Sequence, residues 1–236
     1  MAPGTGLYSA AKVVGTTAAA VPILNHPQLG AVSVSAAMAS DDPDSQVVET
    51  VDLMRRYVLE DSRAASVLAD VERARRSDDA IGDTFGYVKG RLRFVNDEET
   101  AAPLQSLFAY PIVETLYRPE AIAHADVRLG DCDDYTMLGA AHLVARGVPC
   151  SFVTIAADPR DPQHFSHVYL AAYPTSGPYA GQRVPLDISH GPYPGWEYGR
   201  AYRIAEWPVD RRADILLGAV LAAGAWLLYR QLRRPN

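Results

Sequence analysis

Apolar residues recur with helical spacing in the first half of the chain. From Val47 to Val58 they fall on one face while charged residues take the other faces, which is the pattern of an amphipathic helix. Similar patterns predict helices from Ala64 to Arg76 and from Asp79 to Lys89, and Gly90 is expected to end the third helix. The segment from Asn96 to Leu129 contains three prolines and has no clean period, so it is predicted to be loop with short helical turns.

The second half of the chain has the order of one helix followed by strands. Cys132 is expected to open a helix that ends at Gly147, a residue type that commonly caps helix C-termini. Loops that contain prolines separate the three strands predicted after this helix, at residues 151–156, 166–173 and 184–188. Before the helix, residues 91–95 alternate like a short strand. A helix followed by antiparallel strands predicts an α+β fold.

Composition divides the 236 residues into three parts. Residues 1–40 are rich in small side chains, and Lys12 is their only charged residue apart from a histidine. We interpret them as an extended N-terminal arm that becomes ordered against a partner. A cleaved secretory signal is the alternative, but Gly15 and Pro22 interrupt the apolar stretch that such a signal needs. Residues 41–205 have the mixed composition of one globular domain, and residues 206–236 form a separate C-terminal segment.

The C-terminal segment contains an uninterrupted apolar stretch from Ile215 to Tyr229. Trp226 and Tyr229 lie at its end and arginines follow, as expected at a membrane interface. A helix of this length spans only about 22 Å, whereas a hydrocarbon core is about 30 Å thick. We favour a membrane anchor, which places the protein at a membrane or on a virion. The alternative is a helix buried in this chain or in an oligomer, which favours a cytoplasmic location.

Charge and cysteine content exclude several classes of protein. The formal net charge is −6 and no basic run is interleaved with aromatic residues, which argues against binding of nucleic acid. Two cysteines are too few for a disulfide scaffold or for a zinc site made of cysteines alone. Cys150 begins an apolar run with no acid or base beside it, so we interpret it as a structural residue.

Three residues of the second half carry the predicted chemistry. Cys132 lies where a helix begins, and the positive end of the helix dipole is expected to lower the thiol pKa and to hold an oxyanion. His167 is the candidate base and Asp187 the candidate carboxylate that fixes its tautomer. Each residue alone has a structural explanation, but together they predict a nucleophilic triad. A zinc site of Cys132, His164 and His167 is disfavoured, because residues three apart on a strand point to opposite faces.

Four other residues are candidates for substrate binding. Asp131, Asp133 and Asp134 flank the nucleophile, where they stabilise the helix start but oppose formation of the thiolate. A His167 imidazolium would have to compensate for their charge. We favour helix capping as their role, and recognition of a cationic group such as a lysine or diamino-acid amine is the alternative. Trp196 lies in a loop rich in Gly, Pro and Tyr that either lines an acyl cleft or covers the end of the sheet.

The sequence around the three chemical residues resembles a known family. The run Gly130-Asp131-Cys132-Asp133-Asp134, followed by Phe165–Tyr169 and then by Pro185–Asp187, resembles the transglutaminase-like superfamily of papain-like thiol enzymes. Within this superfamily, the sequence most resembles the members encoded by tailed phages and prophages. The likeness covers roughly residues 130–196 and extends only loosely to the upstream helices.

The resemblance implies both a fold and an activity. The implied fold is a papain-like core in which the nucleophile helix packs on an antiparallel sheet, with a helical N-terminal subdomain and a C-terminal apolar helix. The implied activity is that of a cysteine peptidase or amidase without cofactor or metal. Cys132 would form a thioester from an amide in a cell-wall peptide or a virion protein and pass the acyl group to water or an amine. The alternative is a virion structural or assembly protein that keeps the fold as a scaffold and attaches to partners through its N-terminal arm and C-terminal helix.

Overall fold

The computed structural model describes residues 46–97, 115–125 and 128–210, together with the backbone of the few residues outside these ranges that belong to the elements named here. The helices are α1 (Pro43–Asp61), α2 (Ala65–Ala74), α3 (Ala80–Arg91), α4 (Pro119–His124) and α5 (Cys132–Ala145). The strands are β1 (Lys12–Val14), β2 (Leu24–His26), β3 (Gly30–Val32), β4 (Ala36–Ala39), β5 (Arg93–Phe94), β6 (Glu114–Leu116), β7 (Leu129–Gly130), β8 (Cys150–Ala156), β9 (His167–Ala172), β10 (Val184–Leu186) and β11 (Arg203–Pro208).

The three predicted N-terminal helices are confirmed as α1, α2 and α3. The side chain of Asp79 caps the start of α3 by accepting from the backbone N–H groups of Ile81 at 3.0 Å and Gly82 at 2.9 Å. The expected end of this helix at Gly90 is wrong, because α3 continues to Arg91 and Leu92 is its C-cap residue. Gly90 does not adopt the left-handed conformation that makes glycine a helix terminator.

Helix α5 is the centre of the molecule. It contacts α1, α2, α3 and α4 on one side and the strands β8 and β9 on the other. Its residues from Asp133 to Leu143 are all buried, so the helix has no solvent face. Gly139 allows the close approach to the sheet, since an added Cβ would lie 2.5 Å from Ile188 Cδ1 and 3.0 Å from Leu170 Cδ1. The helix ends as predicted before Gly147, which has a φ of +72°.

A four-stranded antiparallel sheet with the order β10-β9-β8-β11 packs against α5. The sheet contains the three predicted strands that follow the nucleophile helix, and with α5 it confirms the α+β class. Strand β11 was not predicted, and it passes the expected domain boundary at residue 205 and ends at Pro208. Val209 is fully buried, and its N–H donates to the Cys150 carbonyl at 3.0 Å. The folded core therefore extends beyond residue 205.

Short strands occur in the segment for which an extended arm was expected. Strands β1, β4 and β6 form a three-stranded antiparallel sheet, and β2 pairs with β3. Strands β5 and β7 pair in parallel, with Phe94 opposite Gly130, and so lead the chain into the nucleophile helix. No helix in the described part of the chain is both long and apolar enough to span a membrane. The apolar stretch from Ile215 to Tyr229 lies outside the described residues.

Candidate active site

A network of acidic side chains fixes the start of α5, where Cys132 lies. Asp131 is the N-cap residue and accepts from the Asp133 N–H, while Asp134 accepts from the Asp131 N–H, which completes a capping box. Asp134 also accepts from the Tyr117 N–H at 2.8 Å. Gly130 makes room for this carboxylate, because an added Cβ would lie 2.4 Å from Asp134 Cβ. The run from Gly130 to Asp134 thus builds the turn that presents Cys132.

The side chain of Cys132 is half-buried between this turn and strand β9. Thr136 Oγ1 donates to the Val168 carbonyl at 3.3 Å and ties the helix to the strand, while the Val168 N–H donates towards the sulfur. Burial raises the pKa of the Cys132 thiol well above its usual value, and the charges of Asp131 and Asp133 raise it further. The Val168 N–H lowers the thiol pKa but does not offset these causes. The expected lowering of the pKa by the helix N-terminus is therefore outweighed.

His167 and Asp187 form a buried hydrogen-bonded pair. His167 opens β9, Asp187 follows β10 directly, and His167 Nε2 lies 2.8 Å from Asp187 Oδ2. Burial opposes ionisation of Asp187, but the hydrogen bond and charge of His167 hold the pKa of the carboxyl below its usual value. An ionised Asp187 can only accept, so His167 carries its proton on Nε2 when neutral. Its Nδ1 then holds the lone pair that a base needs.

The loop after β10 supports Asp187. Asp187 Oδ1 accepts from Ser189 Oγ at 3.0 Å and from the His190 N–H at 2.9 Å. Lys89 Nζ of α3 donates to the Ile188 carbonyl at 3.1 Å and anchors the loop to the helical layer. Gly191 has no room for a side chain, because an added Cβ would lie 2.6 Å from the Asp187 carbonyl oxygen. The carboxylate therefore has a fixed position.

Cys132 and His167, the candidate nucleophile and base, open into one cleft with a volume of about 780 Å³. Its floor is the start of α5, one wall is the start of α1, and the other wall comes from the loop between β8 and β9 and from the loop after β10. The residues nearest the chemistry are Phe94, Asp131, Cys132, His167, His190 and Tyr198. The cleft is large enough for a segment of a peptide substrate.

Phe94 and His190 were not predicted as site residues, and Tyr198 was considered only as part of the aromatic loop that either lines the cleft or covers the end of the sheet. The His190 ring meets the His167 ring edge to face at 4.9 Å, and the Tyr198 ring lies 5.0 Å from His167. Burial raises the pKa of Tyr198, and negative charge on Asp187 or Cys132 raises it further. The signal that could have found His190 is its position three residues after the predicted carboxylate.

The four predicted substrate-binding residues have different positions. Asp131 and Asp133 line the cleft, although Asp133 is buried. Asp134 is fully buried and hydrogen-bonded to backbone, so a substrate in this cleft does not reach it. Trp196 contacts Tyr198 with ring centroids 5.2 Å apart and supports the cleft wall from behind. Helix capping, the favoured role, agrees with the contacts of Asp131 and Asp134.

The structure also gives the positions of Cys150 and of His164, which belongs to the disfavoured zinc site. Cys150 is buried in β8, and burial raises its pKa to about 12. His164 lies in the exposed loop before β9, where its Nδ1 is 2.8 Å from Asp161 Oδ1.

Among the described residues, two groups have ligand atoms close enough to hold a metal ion together, and neither includes Cys132. They are His167, Asp187 and His190, and Asp131, Asp133 and Asp134. Both Asp187 oxygens already accept hydrogen bonds, so we interpret the first group as a hydrogen-bonded network.

Comparison with protein-family models, with curated proteins and with solved structures finds no significant match. The resemblance to transglutaminase-like enzymes therefore stays a prediction from the motif. The geometry of the cleft carries the functional proposal.

Proposed function

We propose that the protein transfers acyl groups from amide substrates through a thioester at Cys132, as a transglutaminase-like cysteine peptidase or amidase with a papain-like core. The observation that carries this proposal is the buried bond between His167 Nε2 and Asp187 Oδ2 beside a cysteine that opens a helix. A nucleophile, a base and a carboxylate that orients the base are the minimum set for covalent acyl transfer.

The positions of the protons suggest how Cys132 becomes reactive. Because burial and two aspartates raise the thiol pKa, the resting sulfur keeps its proton. His167 Nδ1 accepts that proton as the sulfur attacks the substrate carbonyl, and Asp187 stabilises the imidazolium that forms. His167 then gives the proton to the leaving amine, the C–N bond breaks and the thioester remains. Thiolate formation is thus coupled to attack.

The start of α5 offers a donor for the oxyanion of the tetrahedral intermediate. The N–H groups of Asp133 and Asp134 already donate to carboxylates of the capping turn. Among the described residues, no hydrogen bond of this turn is donated by the Cys132 N–H. This N–H group is on the same residue as the nucleophilic sulfur. A backbone N–H at this position is well placed to stabilise the developing charge.

The substrate class follows from the resemblance and from the acidic floor of the cleft. We propose that the protein cleaves a peptide or isopeptide bond in a cell-wall peptide or a virion protein, and that a phage or prophage encodes it. The acidic side chains of Asp131 and Asp133 beside the nucleophile can accept hydrogen bonds from a substrate amine near the scissile bond, and burial and the charge of Asp133 raise the pKa of Asp131 above its usual value. Attachment to a membrane or virion through Ile215–Tyr229 is part of the same proposal.

Labelling with a thiol-directed electrophile at neutral pH tests the nucleophile. Wild-type protein and Cys150→Ala should be labelled at Cys132, which lines the cleft together with His167, whereas Cys132→Ala should resist labelling, because Cys150 is buried in β8 outside the cleft. His167→Ala should slow the labelling of Cys132, because it removes the base. Equal labelling of Cys132→Ala and wild type under native conditions would contradict the proposal.

A further inference from the structure

His190 is a second imidazole in the cleft that the acylation step does not use. Its ring lies edge to face against the His167 ring at 4.9 Å and against Phe94 at 5.2 Å, which holds it in one orientation. The side chain of His190 is 43% exposed, whereas that of His167 is 5% exposed. A molecule that enters the cleft from solvent therefore meets His190 before it meets His167.

The hydrogen bonds around Ser189 fix the tautomer of His190. Ser189 Oγ lies 3.0 Å from Asp187 Oδ1 and 2.9 Å from His190 Nδ1. A hydroxyl has one proton, and the ionised Asp187 can only accept, so Ser189 donates to Asp187. The second contact is then a hydrogen bond only if His190 Nδ1 donates to Ser189 Oγ. Neutral His190 thus carries its proton on Nδ1 and a lone pair on Nε2.

The surroundings of His190 favour this neutral form. Burial lowers the pKa of His190, and the charges of His167 and Lys89 lower it further, while Asp187 acts in the opposite direction. At neutral pH the ring is therefore ready to accept a proton. The chain from His190 through Ser189 to Asp187 also stabilises the imidazolium after that proton has arrived.

We propose that His190 is the base that activates the acyl acceptor, a water molecule or a primary amine, for attack on the Cys132 thioester. This inference rests on the proposed function. The acceptor oxygen or nitrogen bonds to the thioester carbonyl carbon as its proton moves to His190 Nε2. The C–S bond then breaks and Cys132 leaves as the thiolate. Proton transfer from His190 to the thiolate restores the starting state, so the two half-reactions use different bases.

The test separates acylation from deacylation with p-nitrophenyl acetate, an activated ester that acylates a thiol without needing the natural substrate. The burst of p-nitrophenolate measures acylation, and the steady-state rate that follows measures deacylation. His190→Phe keeps an aromatic ring against Phe94 but removes the base. We expect an unchanged burst, a steady state slower by about 100-fold, and a thioester that accumulates on Cys132.

Two further variants keep the test specific. His190→Ala should recover part of its deacylation rate in added imidazole, which a purely structural role would not produce. His164→Ala is the matched control, because His164 is an exposed histidine outside the cleft, and it should deacylate at the wild-type rate.

The outcomes distinguish failure of this inference from failure of the proposed function. A wild-type protein that forms no thioester would overturn the proposed function itself. If wild type forms the thioester and His190→Phe hydrolyses it at the wild-type rate, His190 is not the acceptor base. A His190→Phe variant that loses the burst and the steady state by the same factor would show that the ring only positions His167.

Discussion

His167 Nε2 donates to Asp187 Oδ2 at 2.8 Å, and their side chains are only 5% and 1% exposed. The carboxylate has three donors in all, because the Ser189 hydroxyl and the His190 N–H bind its other oxygen. This arrangement leaves Asp187 ionised and unable to take a proton from the imidazole. Its role in the proposed mechanism is to orient and stabilise His167.

The division of roles predicts a graded loss of activity. His167→Ala should slow acyl transfer by about 100- to 10,000-fold, because it removes the proton acceptor. Asp187→Ala should cost less, because the carboxylate orients the base and does not itself take the thiol proton. Rates with an activated ester, compared for variants whose thermal midpoints match, provide the measurement. Wild-type activity in His167→Ala would rule out the base.

The carboxylate that caps the nucleophile helix predicts a shift in the pH dependence of the thiol. The charge of Asp131 raises the pKa of Cys132, so Asp131→Asn should lower that pKa while asparagine keeps the N-cap hydrogen bond. Alkylation of Cys132 by iodoacetamide should therefore rise at a lower pH than in wild type. Asp158→Asn is the control, because Asp158 lines the cleft but does not contribute to the thiol pKa. A shift to higher pH in Asp131→Asn would contradict the assignment.

The buried histidine of α5 predicts sensitivity of the fold to acid. Burial lowers the pKa of His142 from 6.5 to about 4, and among the described residues neither ring nitrogen has a hydrogen-bond partner. The neutral ring therefore contributes stability that is fully present above pH 6.5 and is lost as the pH falls towards 4, because the unfolded chain binds the proton first. The loss should be about 3 kcal/mol over that range.

Urea unfolding at several pH values measures this effect. His142→Leu should flatten the dependence of the unfolding free energy on pH between 6.5 and 4. His124→Gln, at an exposed histidine of α4, should keep the wild-type dependence. An unchanged slope in His142→Leu would show that other groups govern acid unfolding.

Several elements of the fold could be predicted because their sequence signals are local. The turn before Cys132 and the apolar helix after it identify α5, and apolar runs bounded by loops that contain prolines identify β8 and β9. Strand β11 gave no such signal, because it lies at the edge of the sheet, none of its six residues is fully buried, and it ends in a proline. Its pairing with β8 depends on tertiary contact.

The candidate site was only partly predictable for a related reason. Cys132, His167 and Asp187 follow a recognisable motif, but the place of His190 depends on a hydroxyl bridge through Ser189 and on a ring contact with Phe94. The raised pKa of Cys132 also could not be predicted from the sequence, because burial against β9 raises the thiol pKa and outweighs the lowering expected from the helix N-terminus. Sequence spacing shows neither effect.

The extent of the folded core predicts which truncations are tolerated. A chain that ends at Asp210 keeps β11 and the buried Val209, so its thermal midpoint should match that of the full chain. A chain that ends at Tyr202 loses β11, and its thermal midpoint should lie well below that of the full chain. If Ile215–Tyr229 is an anchor, only the full-length chain should float with liposomes. A full-length chain that ignores lipid, with a destabilised Asp210 form, would contradict the anchor.

The central claim is that Cys132 forms a thioester during turnover. Protein quenched in acid while it turns over p-nitrophenyl acetate should carry one acyl group on Cys132, shown by intact mass and peptide mapping. Neutral hydroxylamine should remove that group, as expected for a thioester. Cys150→Ala should form the same adduct and Cys132→Ala should not. An acyl group that maps to another residue, or a Cys132→Ala variant with undiminished turnover, would contradict the account.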